Sequence, residues 1–165
     1  MPHEEIAELV VRASGPGERN SRQFAALVPA LTGSARAAGP RAVAAGRWLV
    51  DLVVEISERV PVRDAQTLRQ HHRGLTDIEI AERLVKSATR TTAGIGAAVG
   101  GLSSVEFLAP PTLIAAPVQL AAEMLTVTAV ELKLVAELHE ILGYPAQGSA
   151  AERGSLYLVS WMRRR

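Results

Sequence analysis

TTAGIGAAVGGLSSVEFLAPPTLIAAPVQL, residues 91–120, is the stretch that decides the fold of this chain. Its thirty residues carry one charge, at Glu106, together with four glycines and three prolines. Such an apolar stretch fits either the centre of a helical bundle or a hairpin that enters a lipid bilayer. The flanking helices and the spacing of small and charged residues distinguish these possibilities.

A capping box predicts the start of the helix that leads into this stretch. Thr76 is followed three residues later by Glu79, the pattern in which each side chain reaches the backbone N–H of the other residue. Apolar residues then recur at helical spacing up to the Pro-Pro pair at 110–111, where a helix must end. We therefore predict one helix over about 77–107.

The arm that follows the Pro-Pro pair is predicted to be equally long. Apolar residues recur from about 112 to 142, and Gly143 is a residue type that commonly stands just past a helix end. The two arms form a long antiparallel αα-hairpin. Because no alternating strand pattern occurs, the predicted fold class is all-α, a helical bundle built on this hairpin with shorter flanking helices.

Small residues line the first arm in two rows with four-residue spacing. Such rows let helix backbones approach closely, and each glycine inside a helix costs about 0.5–1 kcal/mol relative to alanine unless packing offsets it. We therefore predict a helix-packing interface on this arm. Its residues are Thr92, Ala93, Gly96, Ala97, Gly100, Gly101 and Ser104.

A narrow polar stripe runs along the second arm, and most of the remaining residues are apolar. The pattern is typical either of a central bundle helix that shows a thin edge to water or of a membrane-associated helix with a polar seam. The stripe consists of Gln119, Glu123, Thr126, Lys133, Glu137 and Glu140.

The charges of the hairpin argue against a complete bilayer span. A spanning helix needs about 20 mostly apolar residues, and the uncharged runs at 91–105 and 107–122 are shorter. A shallow hairpin, with an uncharged tip in lipid and basic residues nearer its bases, fits better. The predicted tip residues are Leu108, Pro110, Pro111, Leu113 and Ile114.

The C-terminal segment 149–162 is predicted to form a last helix followed by a basic end. Its aromatic residues and arginines are typical of a helix that lies at an anionic lipid surface. In the alternative interpretation, this helix covers the hairpin tip within the protein itself. The residues predicted to contact a membrane are Tyr157, Trp161, Arg163, Arg164 and Arg165.

The remaining chain divides at its glycine and proline clusters. Residues 1–39 are predicted to form short helices and loops that dock loosely, with Pro29 limiting one helix. Residues 40–165 form the predicted helical core domain. It begins with one amphipathic helix over 40–60, followed by a short helix within 62–76.

Composition narrows the classes of protein further. The 18 Lys and Arg residues against 17 Asp and Glu residues argue against a nucleic acid as the main partner. Cysteine is absent, which excludes disulfides and thiolate metal sites. The N-terminal stretch lacks the basic start and long apolar run of a secretory signal, so we expect a cytoplasmic protein.

Few features of the sequence suggest catalysis or ligand binding. The chain has no nucleophile motif, no P-loop and no helical metal-ligand spacing, so we expect no catalytic, cofactor-binding or metal-binding residues and disfavour an enzyme. The polar residues with candidate functional roles are Glu123 in apolar surroundings, Glu106 beside the proline turn, and His139 among glutamates.

Three sequence features together are similar to a known family. They are the glycine-rich helix GIGAAVGG, a proline-containing turn, and the long helix QLAAEMLTVTAVELKLVAELHEILGY with another helix after a short spacer. Over roughly 85–160 the chain thereby resembles the bacterial EcsC family. The resemblance implies association with a bacterial ABC-transporter operon and membrane-linked roles, and it supplies no catalytic residues.

Three functional hypotheses follow from the sequence. The first is a non-enzymatic interaction or scaffold protein that contacts the inner face of the cytoplasmic membrane, and its anionic lipids, through the hairpin tip and basic C-terminus. The second is a soluble homo-oligomeric bundle whose Ala/Gly-rich surface is the subunit interface. The third is a small-molecule binder or enzyme that uses Glu123 or His139.

Overall fold

The computed structural model describes the backbone of residues 3–15, 20–106 and 115–163, and their side chains except at 20–22, 98–106 and 115–117. Within these residues the chain is all-α and contains no strand. The helices are α1 (His3–Ala13), α2 (Asn20–Ala38), α3 (Pro40–Ala44), α4 (Arg47–Arg59), α5 (Ala65–His71), α6 (Asp77–Glu106), α7 (Ala115–Ile141) and α8 (Ala150–Met162).

The α6 and α7 helices form the predicted antiparallel hairpin. Ile80 near the start of α6 shares an apolar cluster with Ile141 at the end of α7. Farther along, a side chain added at Gly96 would lie 3.9 Å from the Glu123 carboxylate, so the two helices run in opposite directions. The proline turn between them lies outside the described residues.

Local signals set the helix ends as predicted. The backbone N–H of Thr76 donates to Glu79 Oε2 at 2.7 Å, and the Glu79 N–H donates to Thr76 Oγ1 at 3.3 Å. Gly143 follows α7 with a φ of 84°, a conformation that glycine adopts without a steric penalty. A second capping box, between Ser149 and Glu152, begins α8.

The last helix, α8, runs antiparallel to α7. The Tyr157 ring lies 5.7 Å from the ring of His139, and one turn later Trp161 Nε1 donates to Glu131 Oε2 at 2.6 Å. Because the contact moves toward the N-terminus of α7 as α8 proceeds, the end of α8 points toward the turn side of the hairpin.

The same helix packs along α4 in the opposite direction. Gly154, in the second turn of α8, lies against the backbone of Ser57 near the end of α4, so α8 begins where α4 finishes. We call the end of the bundle where α6 finishes and α7 begins the tip end, and the opposite end the base end. The tip end is defined by Glu106 and Ala115, and the base end by Arg59, Asp77, Ile141 and Ala150. The last helix, α8, finishes beside Glu131, about 24 Å along α7 from Ala115.

The predicted single helix over 40–60 is wrong in one respect, because it breaks at Gly46. This glycine has a φ of 71°, in the left-handed region, and separates α3 from α4. Apolar periodicity continues across the break, so the pattern alone indicated one helix.

The predicted limit at Pro29 is also wrong, since α2 continues through it from Asn20 to Ala38. Proline removes the hydrogen bond to the carbonyl four residues earlier, at Ala25. Both residues are exposed, so water can reach the freed carbonyl. One helix therefore occupies most of the second half of the segment 1–39, for which short helices and loops were predicted.

The first two helices supply part of the main core. Ile6 and Val10 of α1 and Leu27 and Leu31 of α2 are fully buried, in one cluster with residues of α4 and α7. This packing differs from the expected loose docking of 1–39. The difference arises because most helical stability comes from tertiary packing. Short apolar helices with unclear caps can therefore be buried in the core once several other helices surround them.

Candidate functional site

A buried carboxylate held by two cations lies near the base end. Glu137 on α7 is 2% exposed, and it accepts hydrogen bonds from Arg63 Nη2 at 2.7 Å and from Arg63 Nε at 2.8 Å. Lys133 Nζ lies 2.9 Å from the same carboxylate and also donates to the carbonyl of Pro61. The cluster joins the segment before α5 to α7.

The charges in this cluster stabilise one another. Burial alone raises the pKa of Glu137, but the hydrogen bonds and charges of Arg63 and Lys133 outweigh it, so the pKa of Glu137 lies below its usual value. The hydrogen bonds to Glu137 also raise the pKa of Arg63. Two cations against one carboxylate leave one positive charge in excess.

A cleft of about 340 Å³ adjoins the cluster between α6 and α7. Two of its three hydroxyl groups are engaged locally, because Ser14 Oγ donates to the carbonyl of Val11 and Thr91 Oγ1 donates to that of Ser87. Neither hydroxyl is aligned with Glu137 as a nucleophile with its base would be. The geometry makes the cluster a structural clasp between two parts of the chain.

The sequence pattern indicates two of the three residues of this cluster. Lys133 and Glu137 were recognised as members of the polar stripe, four residues apart on one helix face. Arg63 is 74 residues away in sequence, and no local pattern marks it as their partner. The stripe is also less exposed than a thin water-facing edge, since Thr126 is fully buried and donates to the carbonyl of Ala122.

The candidate polar residues do not form one site. Glu123 is half-buried opposite Gly96, while His139 lies four helical turns away, with Nδ1 2.7 Å from the carbonyl of Val135. The side chain of Glu106 lies outside the described residues. Among the residues that the structure describes, no group of acids and histidines is arranged to hold a metal ion.

The small-residue rows of α6 are only partly covered. Thr92 and Gly96 are half-buried, whereas Ala93 and Ala97 are exposed. The side chains at 98–106 lie outside the described residues, and with them the predicted contacts of Gly100, Gly101 and Ser104. The closest backbone approach at a described glycine occurs instead at Gly154 on α8, where an added Cβ would lie 2.8 Å from the Ser57 carbonyl oxygen.

The aromatic residues of α8 face the protein, and their predicted membrane contact stays a prediction. Tyr157 is 6% exposed and packs against Val135 and Ala136, and Trp161 is half-buried and bonded to Glu131. Arg163 is exposed at the end of the helix. Arg164 and Arg165, like the tip residues Leu108, Pro110, Pro111, Leu113 and Ile114, lie outside the described residues.

Apolar side chains are exposed along α7 and α8. On α7, Leu120 is 67% exposed and Met124 is 42% exposed, on the helix face where Trp161 bonds to Glu131 two turns beyond Met124. On α8, whose end lies beside Glu131, Val159 and Met162 are 41% and 52% exposed. We call these four residues, of which Leu120 and Met124 lie nearer the tip end, the tip surface. No described helix is long and apolar enough to cross a bilayer.

No protein-family model matches the chain, and neither a curated protein nor a solved structure matches it significantly. The resemblance to the EcsC family therefore stays a prediction from the sequence motifs alone.

Proposed function

We propose that this protein is a non-enzymatic interaction protein that docks its tip end on the cytoplasmic face of a membrane. The observation that carries the proposal is the tip surface, Leu120, Met124, Val159 and Met162. Exposed apolar side chains on neighbouring helices are typical of a contact surface. The adjacent residues 107–114 carry no charge, which favours an apolar environment for this end.

The free energy that the tip surface can contribute to membrane binding fits reversible association. Full burial of a large apolar side chain contributes about 1.5–3 kcal/mol, so four half-exposed side chains contribute on the order of 3–6 kcal/mol. An anchor of this size holds a protein at a membrane only weakly, and stable attachment requires a second signal. The proposal is therefore peripheral contact rather than insertion.

Exposed apolar residues also occur at the base end, but their surroundings differ. Ile78 stands between Asp77 and Glu79, and Leu142 follows Glu140 by two residues. Carboxylates next to an apolar side chain oppose contact with an anionic lipid surface. The charge pattern therefore favours the tip end over the base end.

Co-flotation with vesicles tests the proposal. The full chain is mixed, without detergent, with vesicles of phosphatidylcholine and phosphatidylglycerol and then centrifuged through a density gradient. The wild-type chain should rise with the vesicles. The double variant Leu120→Ser/Met124→Ser should remain at the bottom, because it removes the apolar area of α7 that faces the lipid.

A matched variant at the base end shows whether binding depends on where the apolar residues lie or only on the total exposed apolar area. Leu142→Ser/Tyr144→Ser replaces two exposed apolar residues at the opposite end, and it should float like the wild type. Both variants must retain the helical circular dichroism of the wild type. A wild-type chain that stays at the bottom, or equal losses in both variants, would contradict the proposal.

A second candidate function is self-association through α6, since Ala93 and Ala97 lie one turn apart and are exposed. Two helices with such rows can pack closely. Sedimentation velocity over a range of concentrations tests this candidate. A concentration-dependent dimer that Ala97→Glu abolishes supports self-association, and a monomer throughout contradicts it.

A further inference from the structure

The cleft between α6 and α7 has a row of mostly short side chains on one helix and a cation on the other. Its lining residues repeat at intervals of three and four on each helix, which places them on one helix face. They are Leu84, Ser87, Ala88 and Thr91 on α6, and Val130, Lys133, Leu134 and Glu137 on α7. Because serine and alanine side chains are short, they leave a space of about 340 Å³ beside α7.

The charged residues of the clasp present their cations, rather than their carboxylate, to this space. The side chain of Glu137 is 3% exposed, whereas those of Arg63 and Lys133 are each 34% exposed. All three residues line the cleft. A molecule that enters the cleft therefore meets the guanidinium and ammonium groups before it meets the carboxylate.

Both cations keep hydrogen-bond donors that the clasp does not use. Arg63 donates to Glu137 from Nε and Nη2, and its Nη1 group forms no hydrogen bond with a described residue. Lys133 contacts Glu137 and the carbonyl of Pro61, and an ammonium group has one further donor. These donors remain available to an anion.

The charge around the cleft is positive. Among the described residues, Glu137 is the one acid that lines the cleft, against the cations Arg63 and Lys133. Asp64, the neighbour of Arg63 in sequence, accepts from the backbone N–H of Thr67 at the start of α5. The adjoining surface of α6 carries more cations than carboxylates, namely Arg83, Lys86 and Arg90 against Glu79 and Glu82.

The rest of the cleft is largely apolar. Leu84 and Val130 are buried, and Ala88 and Leu134 are half-buried beside them. A bare inorganic anion would leave this apolar surface unused. The volume of the cleft is at the lower end of the range for ligand pockets, which favours a small molecule.

We infer that the cleft binds a small monocarboxylate with an apolar body. Arg63 and Lys133 hold its carboxylate, and its hydrocarbon part contacts the apolar side chains of α6 and α7. The single positive charge in excess matches one carboxylate, and guanidinium donors suit carboxylate oxygens. This site goes beyond the proposed membrane contact and does not depend on it.

Titration of the full chain with hexanoate tests the inference, followed by nitrogen–proton correlation NMR of the backbone amides. Hexanoate should cause saturable shifts at Lys133 and Leu134 on α7 and at Ser87 and Ala88 on α6. Hexanamide, its neutral analogue, should bind roughly tenfold more weakly, because it lacks charge-assisted hydrogen bonds. Inorganic phosphate, which has no apolar part, should also bind more weakly than hexanoate.

Two variants of equal charge locate the site. Lys133→Gln leaves Arg63 and Glu137 in balance, so its affinity for hexanoate should fall roughly tenfold, toward that for hexanamide. Lys86→Gln removes one cation from an exposed position on α6 that does not line the cleft, and it should bind hexanoate like the wild type. Ala88→Leu fills the cleft without changing a charge and should weaken the binding of both probes.

Several outcomes would overturn the inference. They are the absence of saturable shifts with hexanoate, equal affinities for hexanoate and hexanamide, phosphate binding as tight as that of hexanoate, and equal losses in Lys133→Gln and Lys86→Gln. If Lys133→Gln loses its helical circular dichroism, Ala88→Leu decides, and an unchanged affinity for hexanoate in that variant contradicts the site. None of these results bears on the membrane contact, because the cleft residues are not part of the tip surface.

Discussion

At the scale of single residues, two contacts of different kinds hold the ends of distant segments together. Gly154 lets α8 lie directly on the backbone of α4, and Glu137 binds two cations from inside the bundle. The first contact depends on the absence of a side chain, and the second depends on a full set of hydrogen bonds. Each predicts a different response to substitution.

Gly154→Ala should destabilise the protein by about 1–3 kcal/mol, the usual range for forcing extra atoms into a packed contact. The added Cβ would lie 2.8 Å from the carbonyl oxygen of Ser57, and backbone cannot move aside as a flexible side chain can. Urea unfolding followed by circular dichroism measures the change.

Gly94→Ala is the matched control, because its added Cβ meets nothing within 4 Å and the residue is exposed on α6. This variant should gain about 0.5–1 kcal/mol from improved helix propensity. Equal effects of the two alanines on the free energy of unfolding would contradict the close approach of α8 to α4.

Glu137→Gln should destabilise the protein by about 1–3 kcal/mol at neutral pH, a discounted value because Arg63 and Lys133 keep some contact with solvent. Glu140→Gln, one turn away and half-buried, is the control and should change stability little. The free energy of unfolding is measured for all three proteins across a pH series.

The direction in which pH changes the contribution of Glu137 to stability follows from its pKa. Because the pKa of Glu137 is lower in the folded state than its usual value of about 4.5, its carboxylate stabilises the fold above that value. This contribution is lost as the pH falls through the folded-state pKa. The difference between wild type and Glu137→Gln should therefore shrink on acidification, and a constant or growing difference would argue against the clasp.

At the scale of elements, the sequence predicts where helices end better than where helices are interrupted. The Thr76–Glu79 box and Gly143 are local signals, so the ends they mark were predictable from a few residues. Gly46 and Pro29 were misjudged because each residue type permits two outcomes, and tertiary packing decides between them. The partner of Glu137 was unpredictable for a related reason, since Arg63 reaches it only through the fold.

Pro29→Ala should stabilise the protein by about 1–3 kcal/mol, since it restores a hydrogen bond to Ala25 inside a continuous helix. Pro145→Ala, in the loop before α8, is the control and should bring no gain, because loop proline restricts the unfolded chain. Thermal or urea unfolding measures both variants. A loss of stability in Pro29→Ala would indicate that α2 depends on a break there.

At the scale of the whole molecule, the two ends of the bundle differ in chemical character. Toward the tip end, Leu120 and Met124 are exposed beside the uncharged residues 107–114, whereas the base end carries the clasp and the paired charges of Arg59 and Arg69. The total charge of the chain is nearly neutral and gives no sign of this difference between the two ends. Composition alone therefore could not indicate an oriented surface, because the orientation arises from how α4, α7 and α8 are aligned.

Site-directed spin labelling tests the central claim, that the tip end is the surface that meets lipid. The chain contains no cysteine, so single variants Leu120→Cys and Tyr144→Cys each accept one nitroxide, at exposed positions on opposite ends. Collision rates with oxygen, which concentrates in lipid, and with a water-soluble nickel chelate are measured with and without anionic vesicles. With vesicles, the label at 120 should gain oxygen collisions and lose nickel collisions, while the label at 144 remains in water. A label at 120 that stays accessible to nickel, or a label at 144 that enters lipid instead, would contradict the account.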